Sequence, residues 1–230
     1  MHFFALGVPC SIKFSHPDGR KAREFARDAC GWVESFEARF SRFRPDSMIS
    51  RINAAAGVEW VPVDAEMEHV LDIANNLYQR SEGILDPTLL PLLRVWDWQS
   101  VHFKLPKPAE IKAAHALTGW HLVKRRRGAV FLSRAGMGLD FGVFGKKYAV
   151  DQLARLACRH GVQGALIDIG RNVFALGGDG NQPYWKVGIE DGNQPGQFWA
   201  DLAVSDLAVA VSGDFARYFD LDGVRFSHIL

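Results

Sequence analysis

From Gly19 onward, the stretch GRKAREFARDACGWVESFEARFSRF sets Ala22, Phe25, Ala29, Trp32, Phe36 and Phe40 three and four residues apart. That spacing lays one apolar stripe along a helix of 3.6 residues per turn, so a long, half-buried amphipathic helix is expected. Such a stripe needs an apolar surface to cover it, and the last third of the chain offers one. There GALIDIG, NVFALGG, YWKVGIED, FWADLAVSDLAVAVSG and GVRFSHIL read as strands separated by Gly, Asp and Asn turns, the pattern of hairpins. Helices early and a largely antiparallel sheet late make the chain α+β. With 230 residues, 48% of them hydrophobic, it has enough apolar material for a sizeable core.

Between these ends, AEMEHVLDIANNLYQRSEG puts Met67, Val70, Leu71, Ala74, Leu77 and Tyr78 on one helical face, with Gly83 as its stop. KPAEIKAAHALTGW and KKYAVDQLARLACRHG read as further helices, the second closed by Arg159, His160 and Gly161. SRFRPDSMISRINAAAG reads as a loop rich in turn residues. GILDPTLLPLLRVWDW, with two prolines among apolar residues, is expected to be neither helix nor strand. GAVFLS and GMGLDFG read as strands.

A formal net charge of +1 argues against nucleic acid or an anionic membrane surface as a general partner, since both reward a strong basic excess. The one basic run, Lys124 to Arg127, lies between two apolar segments at an Arg-Gly turn and reads as a solvated hairpin tip. Cys10, Cys30 and Cys158 show no CxxC spacing and are expected to be buried free thiols in a reducing compartment. No apolar run reaches the roughly 18 residues of a membrane span. The opening MHFFALGVPCSIKF lacks the basic region and apolar core of a signal peptide, so a cytoplasmic location is expected unless a leader has been removed.

The chemistry-bearing signals are local. GLDFGVFGKKYAVDQLA places glycines, an acid and two lysines between a strand and a helix, where backbone N–H groups can meet a phosphate or simply form a tight turn. It is not a Walker A loop, because no Ser or Thr follows the GK. DIGRNVFALGGDG lacks GxGxxG and a following βαβ unit, so hairpin turns explain it better. HExxH and GxSxG are absent. Ser212, in AVSGDFARYF, suits either a helix cap or a phosphate contact.

Taken in order, FSRFRPDSMISRIN, GILDPTLLPL, LDFGVFGKKYAVDQLA, GALIDIGRNVFALGG, VSGDFARYF and GVRFSHIL resemble the ApbE-type FAD:protein FMN transferases, over nearly the whole chain. The resemblance implies FAD bound in a cleft between α/β parts. It also implies Mg²⁺, and an acceptor flavoprotein whose Ser or Thr hydroxyl takes the FMN moiety while AMP leaves. Residue by residue, it places Leu6 where a methionine touches the flavin and Phe43 where an aromatic ring packs on FAD. Ile84, Leu85 and Asp86 stand for the FDPT loop against the cofactor. Asp140 is the implied FAD-contacting acid, Val143 the implied carbonyl ligand of magnesium, Lys146 a cation near FAD, and Ile229 a contact of the bound cofactor. His228 is the implied base toward the acceptor hydroxyl, a role that suits a group titrating near neutrality.

The departures from the family pattern are as specific. GGN stands here as GRN, with Arg171 in a glycine's place; AKGY stands as GKKY, with Lys147 in a glycine's place; the first block ends in Val8 rather than Thr. Relatives continue past the histidine through DPxTG to a later acidic segment of the magnesium site. The chain is therefore expected to be one ApbE-like domain, 1–230, truncated at its C-terminus. Two other readings go with that expectation: an FAD pyrophosphatase, in which water replaces the acceptor, and a non-catalytic FAD-binding protein with a degenerate metal site.

Overall fold

The structure, a computed structural model, describes residues 1–97, 104–192, 194, 196–213, 218–221, 223–227 and 229. In chain order the elements are β1 (His2–Ala5), β2 (Val8–Ser15), α1 (Gly19–Phe40), α2 (Met48–Ala54), β3 (Val61–Pro62) and α3 (Ala65–Arg80). Next come α4 (Leu90–Trp96), α5 (Pro108–His115), β4 (Val123–Arg126), β5 (Ala129–Leu132) and α6 (Gly145–Arg159). The strand-rich end holds β6 (Gly164–Ile169), β7 (Asn172–Leu176), β8 (Trp185–Glu190), β9 (Phe198–Val204), β10 (Leu207–Ala210), β11 (Tyr218–Leu221) and β12 (Val224–Ser227). This is the α+β class read from the sequence. The described residues fall into two compact units, 1–37 with 144–229, and 38–143.

The first unit is built on an antiparallel five-stranded sheet, β1-β2-β6-β7-β10. Alternation sends Cys10 and Ile12 of β2 and Ala165, Ile167 and Ile169 of β6 to one face, where they pack with Phe25, Ala29 and Val33 of α1 and Val150, Leu153 and Ala157 of α6. Phe25, Ala29 and Phe36 of the expected stripe are buried; Val33 joins them, while Trp32 is half-covered and stacks on Phe36 with ring centroids 5.2 Å apart. The opposite face receives Val187 and Val204 of the β8–β9 hairpin against Ala175.

Two hairpin turns, Leu6-Gly7 and Gly170-Arg171, lie side by side at one end of this sheet, because Cys10 pairs with Ile169 and the Gly170 N–H donates to the Pro9 carbonyl at 3.1 Å. Both central residues of each turn have positive φ, which matches the right-handed twist of the strands. Gly170 has no room for a side chain: a Cβ there would come 2.7 Å from Val8. Arg171, however, carries φ +68, a conformation that costs an L-residue about 1–2 kcal/mol. The turn is held instead by the Arg171 N–H donating to Asp168 Oδ1 at 2.7 Å and by an Arg171–Glu190 ion pair at 2.8 Å.

The second unit buries Met67, Val70, Leu71 and Ala74 of α3 with Ile49 and Ile52 of α2 and Val130 and Leu132 of β5. Its three-stranded sheet runs β3-β5-β4, and the β4–β5 hairpin carries the basic run at its tip as expected: Arg125 pairs with Asp72 at 2.8 Å and the Arg126 guanidinium lies over Trp60. Three segments differ from the sequence reading. The expected loop at 41–57 contains α2, nucleated by Ser47, whose hydroxyl accepts the Ser50 N–H at 3.0 Å and whose helix buries Ile49 and Ile52. The expected irregular segment contains α4, because Pro91 falls in the first turn, where a missing N–H costs nothing. GMGLDFG is not a strand but coil followed by a 3-10 turn over Phe141–Val143. The thiols also divide: Cys10 is buried, Cys30 half-covered and Cys158 exposed.

Two outcomes test the Gly170-Arg171 turn. Arg171→Gly and Arg171→Ala both remove the exposed ion pair, which is worth little, so their difference isolates the backbone; the glycine variant should be the more stable by about 1 kcal/mol in urea unfolding. Burial pushes the Asp168 carboxyl up, against a smaller opposing effect of the Arg171 N–H. A carboxyl raised in the folded state stabilises most below its ordinary range near 4 and loses that contribution as pH rises through its folded value. Asp168→Asn, which keeps an acceptor for Arg171, should therefore flatten the decline of stability as pH rises above about 4.

Candidate functional site

In the second unit the geometry centres on Leu139 and Asp140. Gly138 lets this segment approach α4, since a Cβ there would meet the Leu90 side chain at 2.7 Å. Leu139 is fully buried and forms no strand, so its backbone polar groups need other partners. The Asn53 side chain supplies both: its Nδ2 donates to the Leu139 carbonyl at 3.0 Å, and its Oδ1 accepts the Leu139 N–H at 2.7 Å.

Asp140 is fixed from three sides. Its N–H donates to the Pro87 carbonyl at 2.8 Å, its Oδ1 accepts the Gly142 N–H at 2.7 Å, and its Oδ2 accepts from Arg42 Nε at 2.7 Å. Pro87 belongs to the loop of Ile84, Leu85 and Asp86. Asp86 is turned inward, where its Oδ1 accepts both the N–H and the hydroxyl of Thr88, at 2.8 and 2.7 Å. Thr88 in turn accepts the Gly119 N–H at 2.6 Å, so this carboxylate builds the loop while Ile84, 80% exposed, and Leu85 project apolar surface to solvent. Phe43 is 67% exposed and lies under the Arg42 guanidinium, 4.1 Å from it. A cavity of about 320 Å³ lined by Arg42, Ser50, Asn53, Leu90 and Arg94 opens beside the ion pair.

Thus Phe43, Asp86 and Asp140, each matched separately in the sequence, are joined in one unit through Arg42 and Pro87. Arg42, which links Phe43 to Asp140, and Asn53, which holds Leu139, were not singled out from sequence, although both stand in FSRFRPDSMISRIN. Val143 ends the 3-10 turn after Asp140.

The remaining described candidates belong to the first unit. Leu6 occupies its turn with φ +54. Lys146 lies in the first turn of α6, which runs back along β6: about 22 Å of helix against about 20 Å of strand. The N-terminus of α6 therefore lies toward the strand end that carries the turns of Leu6 and Arg171. Burial lowers the pKa of neighbouring Lys147. Ile229 follows β12 and is exposed, its N–H donating to Ser227 Oγ at 3.0 Å. His228 lies outside the described residues, and Ser212 is exposed after β10. A larger groove, about 560 Å³, runs past Asp151, Arg155, Cys158, Phe174 and Leu176 and holds none of the candidates.

Among the described residues no three acidic, histidine or cysteine side chains gather as a metal site. Magnesium prefers about six oxygen ligands in near-octahedral array. The described residues offer the Val143 carbonyl alone of the implied set and do not by themselves make that site.

The sequence profile of the ApbE family matches residues 6–230. The chain belongs to the ApbE family. The FAD:protein FMN transferase of Treponema pallidum is 30% identical over 98% of this chain and 67% of its own length. That of Salmonella typhimurium is 28% identical over 93% and 63%. The chain thus spans about two thirds of these curated relatives, which are named as transferases. Among solved structures, the ApbE protein of Thermotoga maritima superposes with a TM-score of 0.91 at 28% identity, covering 100% of this chain and 75% of the other. The apo flavinyl transferase ApbE of Pseudomonas stutzeri gives 0.87 at 26%, covering 99% and 72%.

The clamp on Leu139 has a measurable consequence. Asn53→Ala leaves a buried N–H and carbonyl without partners, so urea unfolding should show a loss of about 1–3 kcal/mol.

Proposed function

We propose that this chain binds FAD and transfers its FMN moiety to a Ser or Thr hydroxyl of an acceptor flavoprotein, releasing AMP. The observation that supports this most directly is the joining of Phe43, Asp86 and Asp140 in one unit of an ApbE-family chain, around an exposed ring, an apolar loop and a fixed carboxylate. An aromatic shelf suits a planar ring, and a carboxylate held by a guanidinium and one backbone N–H suits a nucleotide hydroxyl or amine donor.

In the reaction, the acceptor oxygen attacks the phosphorus of the FMN half. The bridging P–O bond to the AMP half breaks, and the hydroxyl proton passes to a base. Phosphoryl transfer asks the protein mainly for alignment and neutralisation of charge. Asp140, Phe43 and the loop of Ile84 and Leu85 serve alignment on this reading, Leu6, Ile229 and Lys146 are further FAD contacts, and His228 is the base. A bound Mg²⁺ would supply neutralisation of the phosphate oxygens.

The test mixes the chain with FAD, Mg²⁺ and a flavoprotein bearing a Ser or Thr acceptor, then follows in-gel fluorescence and intact mass. FMN on the acceptor, lost with EDTA, is the expected result. Free FMN and AMP point to hydrolysis instead, and FAD bound but unchanged rules out both reactions. His228→Ala should keep FAD affinity within about twofold and lose transfer by about 10²-fold or more, the scale of one general base.

A further inference from the structure

Arg42 occupies a place that neither the sequence reading nor the family likeness assigns. Its Nε donates to Asp140 Oδ2 at 2.7 Å, with the two side chains only 23% and 17% exposed, and its guanidinium lies 4.1 Å from the centre of the Phe43 ring. Asp140 cannot swing away, because its other oxygen takes the Gly142 N–H and its own N–H is held by Pro87. The guanidinium is therefore anchored at one edge by Asp140 while its carbon lies over the ring. A phenylalanine as exposed as Phe43 ordinarily samples several rotamers and loses that freedom when a ligand stacks on it; a planar cation already resting on the ring removes part of that loss beforehand.

We propose that Arg42 is a positioning residue: anchored on Asp140, it holds the Phe43 ring in place to receive a planar aromatic ring of FAD. This rests on the FAD reading above and adds the device by which the shelf is fixed. Lysine is no substitute, because an ammonium offers the charge for Asp140 but no flat face for the ring.

The experiment titrates FAD against the full chain as wild type, Arg42→Gln, Arg42→Lys, Phe43→Ala and the Arg42→Gln/Phe43→Ala double variant, with thermal unfolding of each recorded alongside. Arg42→Gln should weaken FAD binding about tenfold, the scale of one cation–π contact with its ordering. In the Phe43→Ala background the same change should cost less than about twofold, because the ring through which Arg42 acts is gone. Arg42→Lys, which keeps charge beside Asp140 and serves if the glutamine variant unfolds, should bind FAD as weakly as Arg42→Gln.

Independent, additive losses overturn the proposal, as does full affinity in Arg42→Lys. A wild type that binds FAD beside an Arg42→Gln that binds equally well overturns the positioning role alone. A wild type that takes up no FAD overturns the flavin reading and this proposal with it.

Discussion

The two hydrogen bonds between the Asn53 side chain and the backbone of Leu139 are the contact on which the candidate site depends. Leu139 sits in irregular chain at the centre of its unit, where unpaired N–H and carbonyl groups are costly, and the amide copies what a neighbouring strand would provide. Asn53 can do so because α2 holds it, and α2 begins where it does because Ser47 caps it. The order of dependence runs from the cap to the short helix, from the helix to the amide, and from the amide to Leu139 and the acid beside it. Asp140 owes its orientation to Arg42 and Pro87, far from it along the chain, and to the Gly142 N–H of the helical turn that follows.

The first unit solves a different problem. Its sheet brings the turns of Leu6 and Arg171 and the N-terminal end of α6 to one side. Both turns demand positive φ, yet each fills one of its two positions with a side-chain-bearing residue. Strain of this kind persists only where surrounding contacts fix the conformation. At Arg171 the fixing groups are visible: the N–H goes to Asp168 and the guanidinium to Glu190. Asp168 carries its own cost, because burial disfavours the charge that makes it the stronger acceptor. The arginine that departs from the family's glycine is thus tied to two acids of the same unit.

The legibility of the sequence follows the range of the forces involved. α1, α3 and α6 were readable because an apolar stripe writes its period into neighbouring residues, and the hairpins because Gly170, Gly128 and their neighbours mark turns. α2 was masked by Pro45, Asp46 and Ser47, whose turn character is real but stops at the cap, and α4 by Pro91, a helix breaker everywhere but the first turn. GMGLDFG has strand-like apolar spacing, but the strand is forestalled by a side chain 86 residues away. Resemblance to a family supplied Phe43, Asp86 and Asp140 as separate positions. Arg42, 98 residues from Asp140, could be recognised as their link only when distances were known.

That link bears on how binding and chemistry divide. In the second unit, the groups that would recognise a flavin nucleotide are a ring, an apolar loop and a carboxylate, held by neutral or paired contacts. None of these supplies what the transfer step itself requires, a base for the acceptor proton and positive charge for the phosphates. Recognition by the shelf also acts on ground state and transition state alike, so it governs affinity more than rate. Affinity and turnover in this chain should therefore be separable properties carried by different residues. Loss of the metal or of the base would leave the shelf for the nucleotide intact, because the ion pair of Arg42 and Asp140 depends on neither.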